Sequence, residues 1–269
     1  MSELITSLSN PIVKQARSLR QKKGRAETGL FLVEGIHHIG EAVEAGWDIQ
    51  TALYAPDLLT SEFARDLIAR LEAKQLRTQP VSAQVMESLA DKDNPTGLLA
   101  LVSQRASILA GLSAADVNSA VALVSPQDPG NLGSILRTMD ATGIDALFLL
   151  DGGVDEFHPS VIRASMGTIF WKPIIRASFE EFLQWSRSRG MQLVGTSAHA
   201  QNDYRTVKPA SPWALVLGSE QKGLSASQIA ACDLSVSLPM RGRASSRNLS
   251  VAAGILLYQF AANDKIAYK

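Results

Sequence analysis

The chain has 269 residues, with 26 basic and 26 acidic side chains and therefore no formal net charge. Its longest apolar stretch, residues 251–257, is far shorter than the roughly 20 residues a membrane helix needs, so no membrane partner is expected. One cysteine, Cys232, excludes an internal disulfide, and four scattered histidines give no zinc-ligand spacing, so no metal is expected either. The lone cysteine, in Ala230-Ala-Cys-Asp233, reads as a small core residue. The opening run Met1-Ser-Glu-Leu-Ile-Thr has no basic segment leading into an apolar one, so no export signal is expected. Together these features fit a globular protein in a reducing, cytoplasmic setting.

Zero net charge argues against a nucleic-acid partner, because such proteins usually carry a basic footprint. The distribution of charge weakens that objection. Lys14, Arg17, Arg20, Lys22, Lys23 and Arg25 face only Glu3 and Glu27 within the first 30 residues. Such a run is also what a solvated helix face looks like. Arg241, Arg243 and Arg247 cluster just before an expected helix, where they would repel the positive end of its dipole. A nearby phosphate would relieve that repulsion.

In chain order, the first hundred residues predict a small α/β unit. A helix is expected over 10–24, a strand over 29–34, a helix over 36–45 and a strand over 50–55. Residues 61–74 form an amphipathic helix, with Phe63, Leu67, Ile68 and Leu71 at helical spacing. Strands over 75–81 and 97–102 complete the unit, and 106–118 reads as a linker between domains at 1–105 and 119–269. The second domain alternates strand and helix. Strands are expected at 120–124, 146–150, 171–175, 192–195, 213–217 and 234–238, and helices near 131–142, 159–166, 178–189, 225–231 and 246–262. That alternation predicts a mostly parallel sheet covered on both faces.

Three strand-to-helix turns in this half are rich in polar residues and glycine. Open α/β sheets bind ligands outside the carboxyl ends of their strands, so the three turns predict one composite site. The standard nucleotide motifs are missing. Gly130-Asn-Leu-Gly133 lacks the third glycine of a dinucleotide fingerprint, and Gly218-Ser-Glu-Gln-Lys-Gly-Leu-Ser225 places Leu224 where a P-loop needs lysine. No Gly-x-Ser-x-Gly elbow occurs.

The turns resemble the three signature motifs of the SpoU/TrmH group of RNA ribose 2′-O-methyltransferases, in the SPOUT class. The first is Asn131-Leu-Gly-Ser-Ile-Leu-Arg137, the second Leu217-Gly-Ser-Glu-Gln-Lys-Gly-Leu224, and the third Leu238-Pro-Met-Arg-Gly242 running into Ser246-Arg-Asn-Leu-Ser-Val-Ala252. Arg163-Ala-Ser-Met-Gly-Thr-Ile-Phe170 resembles the family's helix after the second strand. Phe31-Leu-Val-Glu-Gly35 resembles the start of its N-terminal substrate-binding domain.

The resemblance implies a C-terminal domain knotted as a trefoil, with a mostly parallel sheet, beside a small N-terminal α/β substrate-binding domain. It implies S-adenosylmethionine as cofactor, held by the turns at Thr196, Leu217, Gly218, Leu238, Ser246, Asn248 and Leu249. It also implies a homodimer through the C-terminal helix, which is apolar around much of its circumference. The substrate would be RNA, with ribosomal RNA favoured over transfer RNA.

Catalytic residues carried over are Arg137, Asn131, Glu220, Ser246 and Asn248. The family assigns proton removal to Arg137. A guanidinium is not readily deprotonated, so two readings stay open: a base assisted by an RNA phosphate, or a phosphate ligand that stabilises the developing alkoxide. Asn131 is either a helix cap or an amide organising Arg137 and Glu220. Glu220 is either a first-turn acid or the anchor of a polar network. Ser246 also suits a helix cap. Asn248, a mediocre residue inside a helix, reads better as a site contact. Arg247 departs from the family's usual aliphatic residue, which points to a phosphate contact or a different RNA target. An inactive RNA-binding relative would have no need of Asn131, Arg137, Glu220 and Asn248 together. A small-molecule or protein substrate would leave the basic N-terminal segment without a purpose.

Overall fold

The computed structural model describes residues 3–90, 95–105, 107–112, 117–240, 242–243 and 247–261, which fall into two compact units. The first unit begins with α1 (Pro11–Ser18) and α2 (Lys22–Thr28). The side chain of Asn10 accepts from the Ile12 amide and Pro11 occupies the first turn, which is standard N-terminal chemistry. The helix expected over 10–24 is thus two helices. The reason is Gly24: a Cβ there would lie 2.3 Å from the Ser18 carbonyl oxygen, so the chain folds back more tightly than one straight helix allows.

β1 (Leu30–Glu34), α3 (Ile36–Glu44), β2 (Ile49–Tyr54), α4 (Glu62–Ala73), β3 (Thr78–Pro80), α5 (Ala83–Leu89) and β4 (Leu98–Ser103) follow. The sheet order is β1-β4-β2-β3, with β4 antiparallel to both neighbours and β2 parallel to β3. Helix α5 is a correction to the sequence reading. Ser82 caps it through the Val85 amide, and Val85, Met86 and Leu89 bury one face. With Leu53, Leu99 and Leu101 they form one core layer.

In the second unit β5 (Ser119–Val124), α6 (Pro129–Ala141) and β6 (Ala146–Leu150) are succeeded by α7 (Pro159–Ser165). Residues 157–171, including α7, pack with the first unit rather than with the strands on either side of them in sequence. Phe157 and Phe170 flank Phe31, with ring centroids at 4.6 and 6.4 Å, and the Trp47 indole donates to the Phe170 carbonyl. The strand expected at 171–175 begins later for this reason, as β7 (Ile174–Ala177).

The remainder is α8 (Phe179–Arg187), β8 (Gln192–Thr196), β9 (Asn202–Asp203), β10 (Trp213–Leu217), α9 (Ala226–Ala231), β11 (Leu234–Ser237) and α10 (Leu249–Ala261). All recorded strand pairs in this sheet are parallel, in the order β7-β6-β5-β10-β8-β11-β9. β5, β6 and β10 are buried along their whole length, as expected for strands covered on both faces. On one side Phe148 packs against Phe182 and Trp185 at 4.8 and 4.9 Å. On the other, Phe260 of α10 meets Trp213 edge-on at 5.7 Å, and α10 lies against α6. Among the described residues no helix is long and apolar enough to cross a membrane, and no metal-binding group of side chains occurs.

Candidate active site

The carboxyl ends of β5, β10 and β11 lead into the three turns that the sequence singled out, and that of β8 into the turn at Thr196. After β10, the chain makes a tight turn in which the Gly223 amide donates to the Ser219 carbonyl at 2.9 Å. Gly218 permits it. A Cβ there would sit 2.0 Å from the Gly223 carbonyl carbon and 2.3 Å from the Leu224 nitrogen, which no side chain survives. The glycines that imitate a P-loop therefore close a turn on itself.

That turn carries Glu220 to the start of α6. Its carboxylate accepts from the amides of Gln127 and Asp128, at 2.9 and 3.2 Å, and from the Asn131 side chain at 3.0 Å. Burial alone would raise the Glu220 carboxyl. The hydrogen bonds from Asn131, Gln127 and Asp128 outweigh that effect and hold it below the usual carboxylate range. Glu220 lies in the turn before α9 rather than in that helix's first turn, so its helix-dipole partner is α6.

Asn131 does not cap α6. Asp128 does, accepting from the Asn131 amide at 2.7 Å. The Asn131 side chain is 7% exposed and links two turns, donating to Glu220 and accepting from the Asn248 amide group at 2.9 Å. Asn248, in turn, precedes α10 rather than lying inside it. Its side-chain oxygen accepts from the Ser250 and Val251 amides at 2.9 and 3.2 Å and from the Ser250 hydroxyl, so Asn248 is the cap expected of Ser246. Ser246 itself lies outside the described residues, as does Arg241. One continuous line of hydrogen bonds, Glu220–Asn131–Asn248, thus ties the three motifs together.

Beside this line is a cavity of about 420 Å³, within the range of small-molecule sites. Thr196, Leu217, Gly218, Leu238 and Leu249 line it, as do Met240 and Arg247. The walls are mostly apolar side chains and backbone, and Glu220 and Lys222 of the second turn also line it. Such a lining suits an amphipathic nucleoside that also carries charged groups, and S-adenosylmethionine, with its adenosine, cationic sulfonium and amino-acid end, has that chemistry.

Arg247 donates to the Leu238 and Pro239 carbonyls, at 2.9 and 2.7 Å. Its guanidinium is therefore committed to the loop after β11, not projected toward an external phosphate. No local pattern in the chain signals this, nor the Gln127 and Asp128 amides that receive Glu220. Cys232 is half-buried, packed against the core beside Gly195 rather than within it, and burial and then Asp233 push its thiol up to about 11.

Arg137 stands apart. It is exposed on α6, six residues and about 240° around the helix from Asn131. It makes no hydrogen bond or ion pair with a described residue, so Asn131 organises Glu220 and Asn248 rather than Arg137.

The parallel sheet and the three linked turns define a methyltransferase domain of the SpoU type. The chain belongs to that family: the model of the SpoU rRNA Methylase family matches residues 118–258, and that of the MRM3-like substrate binding domain matches 10–100. It is 32% identical to the 23S rRNA (uridine(2479)-2'-O)-methyltransferase of Streptomyces viridochromogenes, over 95% of this chain and 90% of the relative. It is 30% identical to the 23S rRNA (guanosine(2553)-2'-O)-methyltransferase RlmP of Bacillus subtilis, over 94% and 97%. Among solved structures, the AdoMet-bound rRNA methyltransferase from Sinorhizobium meliloti superposes with a TM-score of 0.87 at 36% identity, covering 96% of this chain and 97% of that one.

Proposed function

We propose that this protein transfers a methyl group from S-adenosylmethionine to a ribose 2′-hydroxyl of RNA, with ribosomal RNA as the substrate. The observation that carries the reading is the Glu220–Asn131–Asn248 line beside a cavity of cofactor size. An RNA binder without catalysis would not need it. Transfer RNA is disfavoured because the full-length relatives named above act on 23S rRNA.

The bound cofactor supplies a methyl on a positively charged sulfur, which drives an in-line displacement. The protein's own work is alignment and charge control. Leu217, Leu238 and Leu249 and the backbone at Gly218 would hold the donor. Glu220 and Asn131 fix the turn against α6, and Asn248 fixes the start of α10. Arg137 binds an RNA phosphate and donates to the ribose oxygen as it becomes an alkoxide, while the hydroxyl proton leaves to water.

The same reading includes a homodimer. Val251, Ile255 and Tyr258 form a stripe at i, i+4 and i+7 on the outer face of α10, and Val251 and Tyr258 are 53% and 59% exposed. The inner face already buries Ala253, Leu256, Leu257 and Phe260. A second copy covering the outer stripe would also bring RNA-facing groups to the exposed Arg137, since α6 touches α10 where Thr138 approaches Gly254. The threaded trefoil belongs to this reading too, supported by β10 inserting between β5 and β8 while β11 lies beyond β8. The same reading expects the protein in the cytoplasm.

Mass-spectrometric mapping of ribose methylation in total RNA, from cells with and without the gene, tests this. One 2′-O-methyl mark in rRNA should vanish with the gene. An unchanged rRNA map, or loss of a base methylation instead, would overturn the proposal.

A further inference from the structure

The six cations of residues 14–25 separate into two groups once the chain is folded. Arg25 is 2% exposed and donates to the Leu19 carbonyl at 2.8 Å. Arg20 is half-buried and donates to the Ala90 carbonyl at 2.8 Å. Both brace the α1–α2 hairpin from within. Lys14, Arg17, Lys22 and Lys23 are left on its outer surface. Lys14 and Arg17, three residues apart, are neighbours on one helix face, where like charges repel.

Helix α4 shows what a merely solvated face of this unit looks like. There Arg65, Arg70 and Lys74 interleave with Glu62, Asp66 and Glu72, and Arg70 also approaches Glu44 at 3.8 Å. On α1 and α2 the only acid is Glu27, 3.8 Å from Lys23 in a fully solvated pair. An uncompensated basic stripe in a chain of zero net charge calls for an external anion.

A groove opens at the start of α1. The start of α1 and the edge strand β3 enclose an open cleft of about 600 Å³, with Asn10 and Gln15 on one wall and the exposed Arg77 and Gln79 on the other. Glu3 lies at its margin, and Gln79 is tied to the Glu3 carbonyl. Within the cleft itself Arg77 is the one lining cation among the described residues, facing a neutral α1 wall and offset by Glu3.

We infer that the outer surface of the α1–α2 hairpin, through Lys14, Arg17 and Lys22 and across the groove to Arg77, tracks the phosphate backbone of the RNA substrate. The inference rests on the proposed RNA methyltransferase activity and assigns part of its substrate contact to residues remote in sequence from the motifs. Flexible cations with no base-shaped donor pattern fix position on a backbone and carry no sequence code. The surface sets affinity and salt dependence, while the choice of nucleotide is made elsewhere.

The test uses full-length protein and deproteinised 23S rRNA, with binding measured across a salt titration. The triple variant Lys14→Gln, Arg17→Gln, Lys22→Gln is compared with Arg65→Gln, Arg70→Gln, Lys74→Gln, which removes the same charge from α4. Each lost phosphate contact lowers the slope of log affinity against log salt by about 0.7 to 0.9. The hairpin variant should bind at least about tenfold more weakly near 0.15 M salt, with a slope reduced by about two. Its S-adenosylmethionine affinity and unfolding temperature should match wild type, and so should the α4 variant throughout. If the triple variant unfolds, the singles Lys14→Gln and Lys22→Gln should each reduce the slope by one contact. Unchanged affinity and slope in the hairpin variants, or equal weakening in the α4 variant, would overturn the assignment. Wild type that methylates RNA alongside an unaffected hairpin variant refutes only the surface, whereas wild type that binds no RNA refutes the functional reading as well.

Discussion

Asn131 and Glu220, 89 residues apart, meet through a 3.0 Å hydrogen bond at the N-terminus of α6. Asn131 is buried and its other amide atom is taken by Asn248, so a single side chain fixes the relative position of three turns. Removing it leaves a carboxylate and an amide short of a partner. Such losses cost about 1–3 kcal/mol when buried, and the half-exposed Glu220 puts this one near the lower end. Asn131→Ala should lower the unfolding temperature by a few degrees and reduce methyl transfer by about a hundredfold. Calorimetric unfolding and a tritium-transfer assay check both.

The same bond gives a pH dependence with a definite sign. The Glu220 carboxyl is lowered in the folded state, so its stabilisation is complete above the ordinary glutamate range and is lost as pH falls through the folded value. Acidifying from pH 6 toward pH 3 should destabilise wild type more than Glu220→Gln. Thermal unfolding of the two proteins across that range should give converging curves; parallel curves would contradict the role given to Glu220.

Gly218 marks where backbone meets backbone. Gly218→Ala places a methyl 2.0 Å from the Gly223 carbonyl carbon, so the turn carrying Glu220 must open. The variant should bind S-adenosylmethionine at least about a hundredfold more weakly. Isothermal titration is the check, and near-normal affinity would show that the turn tolerates the methyl.

Arg247 distinguishes two readings of one residue. As a brace for the Leu238 and Pro239 carbonyls it shapes the cofactor wall. Arg247→Leu should then weaken cofactor binding by about tenfold, equivalent to about 1.4 kcal/mol, with KM for RNA unchanged. A raised RNA KM with normal cofactor affinity would instead make it a phosphate ligand.

The outer stripe of α10 predicts the assembly state. Val251→Glu with Tyr258→Glu should shift sedimentation from dimer to monomer and abolish methyl transfer, while leaving the helix content intact. A wild-type monomer would remove the dimer from the account.

Much of this was legible in the chain. Alternating apolar runs placed the strands at 146–150 and 213–217 to the residue, because fully buried parallel strands leave an unmistakable pattern. The turns that converge were also marked, by glycines beside polar residues. What stayed hidden depended on partners distant in sequence. Ser246 is a good helix cap by propensity, yet Asn248 caps α10, because the same amide also reaches Asn131. Residues 157–171 carry apolar residues that suit either unit, and only the fit of Phe157 and Phe170 around Phe31 assigns them. The loop cation at Arg247 reads as a phosphate ligand until its two carbonyl acceptors are seen. Gly24 gives no local hint that Ser18 approaches it.

The converged turns are proposed to present a methyl donor to a ribose oxygen. Incubating the purified protein with tritiated S-adenosylmethionine and 23S rRNA from cells lacking the gene, then digesting to nucleosides, measures it directly. The account predicts a single labelled 2′-O-methylnucleoside with wild type. It predicts a loss of at least about a hundredfold in Arg137→Ala, with cofactor binding retained. Label on a base, or no transfer at all despite bound cofactor and RNA, would contradict it.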